Sequence, residues 1–288
     1  MATQQISTTK TIIKIVCTAA VIAAASLSIS SIMADKKTAL TKEGHIAKSE
    51  ITIENGVMTP EALLAFGRLS DPQVSPDGKH IAYSCRKLTG KRYAFSTDTE
   101  IYIYDVCSGE STVIDMKGGY DTDPLWTPDG KEIVFSSYRE KSKDIYMVSS
   151  EGGTPKRLTS HTGNETPRER MKYGSILFTA NIQQDAQYGD FPGNAQLYKV
   201  GPEGGKPELV TSLPVSDISV VEDAEGTHVI YEDYKGYEDA LRKHHTSSVT
   251  RDVWQYTPDK SDKGFKITGN GTFTKLSKFI GEDRNPVF

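Results

Sequence analysis

The segment DTDPLWTPDGKEIVFSS, Asp121 to Ser137, recurs in eroded form along most of the chain, and that recurrence is the strongest limit on its fold. Pro128 presets φ for the first central position of a turn, and Asp129 and Gly130 complete it. Gly130 supplies the φ > 0 conformation without a Cβ penalty. Short strands are expected on either side: Pro124 to Trp126 before the turn, and Glu132 to Ser137, rich in β-branched and aromatic residues, after it. DIYMVSS (Asp144 to Ser150) and EGGTPKRLT (Glu151 to Thr159) then supply a third strand and, around Arg157 to Thr159, a fourth. The unit is an antiparallel meander.

Its first half also reads as DPQVSPDGKHIAYSC (Asp71 to Cys85), with degenerate copies in ETPRERMKYGSILFTA (Glu165 to Ala180) and ISVVEDAEGTHVIYED (Ile218 to Asp233). EIYIYDV (Glu100 to Val106), DIYMVSS, QLYKVGP (Gln196 to Pro202) and DVWQYTP (Asp252 to Pro258) are the matching second halves. Tyr83, Phe135, Phe178 and Tyr231 align at steps of 52, 43 and 53 residues, and the EGG turn at Glu151 returns at Glu203. Repeats of this length with four strands each describe propeller blades. The fold class expected is all-β, a β-propeller of four-stranded blades. About four blades are present over residues 58–288, with the start of a fifth where Asn285 to Phe288 align with Asp123 to Trp126. A β-sandwich also has many short strands, but would not repeat these turns in this order. An open blade edge is avoided by ring closure, so the chain reads as the N-terminal part of a longer protein.

Ahead of the repeats, Lys10 and Lys14 precede an uncharged stretch from Ile15 to Ala34. This reads as an export signal cleaved after Ala34, with an uncleaved anchor as the alternative. Residues 35–57 are a polar linker. Thr59, Pro60 and Glu61 then have the pattern of a cap and first turn, so a short helix is expected up to about Gly67. The net charge of −4, with no basic cluster, argues against a nucleic-acid partner. An exported chain makes a Cys85–Cys107 bridge worth testing. The two residues end consecutive strands, too far apart to pair, and two unbridged, mostly buried thiols are expected.

The turn-and-strand repeat resembles the WD40-like repeat of TolB and the peptidase propellers. TSHTGNETP (Thr159 to Pro167), YEDYKGYEDALRKHHTSSVTRDVWQY (Tyr231 to Tyr256) and FIGEDRNPVF (Phe279 to Phe288) resemble the N-terminal propeller of bacterial tricorn protease homologues. Met58 to Ser84 resembles instead the entry of the dipeptidyl-peptidase IV/prolyl oligopeptidase family. Both resemblances imply a propeller joined to a serine peptidase, guiding or gating peptide or protein substrates to its own downstream catalytic domain. A stand-alone, non-catalytic TolB-like binding propeller is the reading from another class.

The chain contains no G-x-S-x-G elbow, HExxH or Walker loop, so no catalytic residue, cofactor or metal is expected in it. His244 and His245, with Ser247, Ser248 and Asp252, have triad residue types, but adjacent residues on an extended chain point opposite ways. They read as a long intra-blade loop, with His244, His245 and Arg251 as candidate peptide contacts. Arg157, Arg168 and Arg170 suit a peptide carboxylate, although exposed arginines usually have no such role. Asp105, Asp121 and Asp123 are expected to fix turns rather than a cation, and Trp126 and Trp254 to pack within blades.

Overall fold

A computed structural model describes residues 56–65, 67–91, 94–161, 163–182, 195–223, 226–234, 249–258, 266–267, 270–279 and 281–288. The expected signal or anchor (1–34) and nearly all of the linker (35–57) lie outside these. Thr59 caps α1 (Pro60–Ala65): its carbonyl accepts the Leu63 N–H at 2.9 Å and its hydroxyl the Ala62 N–H at 3.1 Å.

The chain divides into two compact units, one of Met1–Pro124 with Glu151–Gly153 and the other of the remainder. In the first, β1 (Arg68–Val74), β2 (His80–Lys91), β3 (Ala94–Asp105) and β4 (Ser111–Val113) form an antiparallel sheet in chain order. Gly153 N–H donates to the Asp115 carbonyl at 3.1 Å, which assigns the first EGG turn to this unit. A second sheet runs β5 (Asp121–Trp126), β6 (Glu132–Ser137), β7 (Asp144–Ser149) and β8 (Lys156–Arg157).

Blades three and four share one seven-stranded sheet. It contains β9 (Glu165–Arg170), β10 (Ile176–Ala180), β11 (Gln196–Val200), β12 (Glu208–Glu222), β13 (Thr227–Asp233), β14 (Val253–Thr257) and β15 (Thr272–Lys275) in sequential order. The first part of β12 pairs with β11 through Glu208 to Pro214, and the second with β13 from Val215 to Glu222. One unbroken strand is therefore the last strand of blade three and the first of blade four.

Each of the aligned aromatics Tyr83, Phe135, Phe178 and Tyr231 faces an aromatic on the next strand: Tyr102, Tyr146, Tyr198 and Trp254. In the first three pairs the ring centroids lie 5.6, 6.0 and 5.8 Å apart, a spacing worth about 0.5–1.5 kcal/mol beyond area burial. In β10, Ile176, Phe178 and Ala180 join a core with Val134, Ile145, Met147 and Leu158, whereas Leu177 joins the opposite core with Val229, Tyr231 and Tyr256. A blade with a neighbour on each face has no polar side, so all five residues of β10 are buried.

The Pro-Asp-Gly turns repeat atom by atom. Ser75 and Thr127 each donate a side-chain hydroxyl to the turn aspartate, Asp77 or Asp129, at 2.6 Å. That aspartate accepts the N–H of Lys79 or Lys131 at 3.1 Å, and Gly78 and Gly130 have φ of 73° and 72°. Asp71, Asp123 and Asn285, each before a proline, have φ of 53°, 55° and 55°. Asp and Asn tolerate this left-handed region better than other side chains. The shared conformation places Asn285-Pro286 in the repeat register of Asp123-Pro124.

Cys85 is buried, but Cys107 is exposed, contrary to the sequence expectation. β3 ends at Asp105, and Cys107 lies in the following turn, where its N–H donates to Asp105 Oδ1 at 2.9 Å.

Candidate functional site

Three irregularities in strand pairing converge on one region of the second unit. In β9, Pro167 faces Phe178 and Glu169 faces Leu177, so Arg168 is an extra residue without a cross-strand partner. In β12, Val215 faces Asp233 and Asp217 faces Glu232, which leaves Ser216 extra in the same way. Upstream in β12, register slips between Thr211 and Pro214, freeing Ser212 and Leu213 from the ladder. Bulges re-aim side chains out of strict alternation, and here they direct Arg168 and Ser216 into one cleft and Leu213 into another.

The first cleft has a volume of about 210 Å³ and is lined by Arg168, Thr179, Asn181, Ala195, Val215, Ser216 and Tyr234. Arg168 Nε donates to Thr179 Oγ1 at 3.0 Å, while Nη1 lies 3.9 Å from Asp217 Oδ1, a loose ion pair. Its position is thus fixed through Nε, and among the described residues its other N–H groups make only the loose approach to Asp217. Arg251 is committed more tightly. Its Nη1 donates to Glu232 Oε1 at 2.6 Å and to Ser216 Oγ at 3.0 Å, and the guanidinium lies 5.2 Å from the Tyr234 ring centroid. Glu232 is buried, and its other oxygen accepts the Asn285 N–H at 2.9 Å. The Arg251 carbonyl accepts the Asp283 N–H at 3.0 Å. Arg251 therefore ties β12, β13 and the final segment together at the cleft wall.

The second cleft, about 540 Å³, is lined by Leu213, Pro214, Tyr231, Asp233, Tyr234, Trp254 and Phe273. Tyr234 borders both clefts. Asp233 is satisfied locally: Oδ1 accepts the Asp252 N–H at 2.8 Å and Oδ2 the Trp254 indole N–H at 3.1 Å. Burial, and then Asp233, push the Tyr231 phenol up to about 12, so it remains neutral.

Of the sequence candidates, Arg251 stands at this site, whereas His244 and His245 lie outside the described residues. Among the arginines, Arg168 lines the cleft. Arg157 instead pairs with the buried Asp144 at 2.6 Å. Arg170 is half-buried, its Nε and Nη1 without hydrogen-bond partners among the described residues, and burial lowers its pKa. Asp105 accepts the N–H groups of Cys107 and Ser108, the turn role expected of it. Among the described residues no group of His, Cys, Asp and Glu is arranged to hold a metal ion. Among the described residues Ser216 Oγ meets Arg251 rather than a base, and the cleft presents donors suited to an anion. Sequence reasoning passed over Ser216, Tyr234 and Leu213, whose importance comes from bulges and from lining shared walls.

Over 80 residues the chain is 46% identical to dipeptidyl-peptidase 5 of Porphyromonas endodontalis, a match covering 27% of this chain and 12% of that protein. It is 32% identical over 136 residues to the uncharacterised peptidase YuxL of Bacillus subtilis, covering 46% of this chain and 20% of the relative. The chain thus matches only a small part of the length of these relatives. Among solved structures, that of tricorn protease superposes on 77% of this chain and 19% of its own, with a TM-score of 0.55 at 18% identity. That likeness supports the propeller fold. Residues 86–288 match the model of the tricorn protease N-terminal beta propeller domain, and the chain belongs to that family.

Proposed function

We propose that this chain is the propeller part of an exported, tricorn-like serine peptidase, and that it guides peptides to a catalytic domain encoded beyond Phe288. The observation that carries the reading is the cleft. In a member of a protease propeller family, a bulge presents a loosely paired guanidinium beside hydroxyl and amide donors, a set suited to a peptide carboxylate. The uncharged stretch after Lys10 and Lys14 supports export to the periplasm, or anchoring on its face. The 46% identity to a dipeptidyl-peptidase favours a second reading, in which the downstream domain is an α/β-hydrolase. A non-catalytic TolB-like binding propeller is the third.

The coding DNA downstream of Phe288 separates these. The proposal expects a Pro-Asp-Gly turn, further blades and a tail-specific-protease-like region, with peptide hydrolysis by the full-length product. A G-x-S-x-G hydrolase domain would select the dipeptidyl-peptidase reading. Ring closure followed by a stop codon, with no peptidase domain, would overturn both.

A further inference from the structure

The polar and apolar clefts adjoin along β12 and share Tyr234 as a lining residue. Leu213-Pro214 line the apolar cleft and Val215-Ser216 the polar one, so consecutive residues of β12 pass from one floor to the other. Tyr234 is the wall between them, and its N–H donates to the Pro214 carbonyl at 3.1 Å. At the polar end, Arg168 supplies positive charge. At the other, Tyr231, Trp254 and Phe273 surround apolar space, and the indole is fixed in orientation by its bond to Asp233.

From this juxtaposition we infer that the two clefts together take the last residue of a peptide with a large apolar side chain, the α-carboxylate meeting Arg168 and the side chain lying against Trp254 and Phe273. The inference rests on the reading of the Arg168 cleft as a carboxylate contact and adds specificity to it. Charge complementarity sets the direction. The residues lining the apolar end include the Asp233 carboxylate and no cation, whereas the polar end holds the Arg168 guanidinium, only loosely paired with Asp217, so the peptide's charge goes to Arg168. An aromatic-lined space then favours an apolar side chain over a polar one, since apolar burial is gained without unpaired donors.

The test uses the intact chain and fluorescently labelled tripeptides with unblocked C-termini, X-Ala-Phe, X-Ala-Leu and X-Ala-Gly, together with the Phe peptide as its C-terminal amide. The Phe and Leu acids are expected to bind at least about tenfold tighter than the Gly acid. Leu213→Asn, an uncharged change at a partly exposed bulge position that leaves the core intact, is expected to abolish that preference for the Phe and Leu acids. Equal affinity for the Phe and Gly acids, with the Phe amide weaker, would overturn the apolar subsite and leave the carboxylate reading standing. Equal affinity for the Phe acid and its amide would overturn the carboxylate reading. Absence of binding by every peptide would overturn both.

Discussion

Glu165 is fully buried at the start of β9, beside the Asp144–Arg157 ion pair. Its Oε2 accepts from the Thr159 hydroxyl, its N–H donates to the Lys143 carbonyl at 2.8 Å, and among the described residues Oε1 has no hydrogen-bond partner at ordinary geometry. Burial foremost, and then Asp144, raise its pKa to about 7, while Thr159, the Ile145 backbone N–H and Arg157 oppose the shift. A raised carboxyl pKa means the folded state holds the proton more tightly than the unfolded chain does. Stability should therefore fall as pH rises from about 4.5 to about 7, then level off, the loss being roughly 3 kcal/mol. Glu165→Gln should remove that slope, read from urea unfolding midpoints across pH 4 to 8; an unchanged slope would show that other groups set it. Gly204 makes a second residue-scale case. It has φ of 84°, and a Cβ would come within 2.7 Å of the Leu158 carbonyl oxygen on the neighbouring blade. At Gly205, φ is 122° but the space is open. Both alanine variants carry backbone strain of order 1–3 kcal/mol, and Gly204→Ala should lose more because backbone must also move. Equal melting temperatures for the two would rule out close packing as the reason for the glycine.

Among the elements, those set by local chemistry were legible in the sequence. Pro-Asp-Gly at Pro76 and Pro128 predicted turns that are present, and the Thr59-Pro60 pair predicted α1. The aligned aromatics marked the repeat, and at each of them the same cross-strand pairing with an aromatic recurs. The continuity of β12 was hidden. Pro214 resembles a strand break, yet it sits where the ladder passes from β11 to β13, and its missing N–H is accommodated at that changeover. The bulges at Arg168 and Ser216 were hidden too, since an extra residue depends on register with a strand distant in sequence. Arg168 was therefore legible as a charge but not as a member of a cleft, and Ser216 was not singled out. Cys107 was misjudged because two residues of turn beyond Asp105 are enough to leave the strand for the exposed surface.

For the molecule as a whole, membership of the tricorn propeller family gives the fold, and the clefts on either side of Tyr234 are where the proposed peptide contact is placed. Arg251 and Glu232 hold Ser216 and the Asn285 segment in place, while among the described residues Arg168 is held by Thr179 and loosely by Asp217. The most direct measurement compares binding of one apolar tripeptide, as acid and as amide, to the wild-type chain and to Arg168→Gln. A carboxylate bonded to a guanidinium contributes about 1.5–3 kcal/mol. The acid should therefore bind the wild type about ten- to a hundredfold tighter than the amide, and the variant should bind both equally. An acid preference that survives in Arg168→Gln would contradict the assignment of this cleft as the peptide carboxylate site.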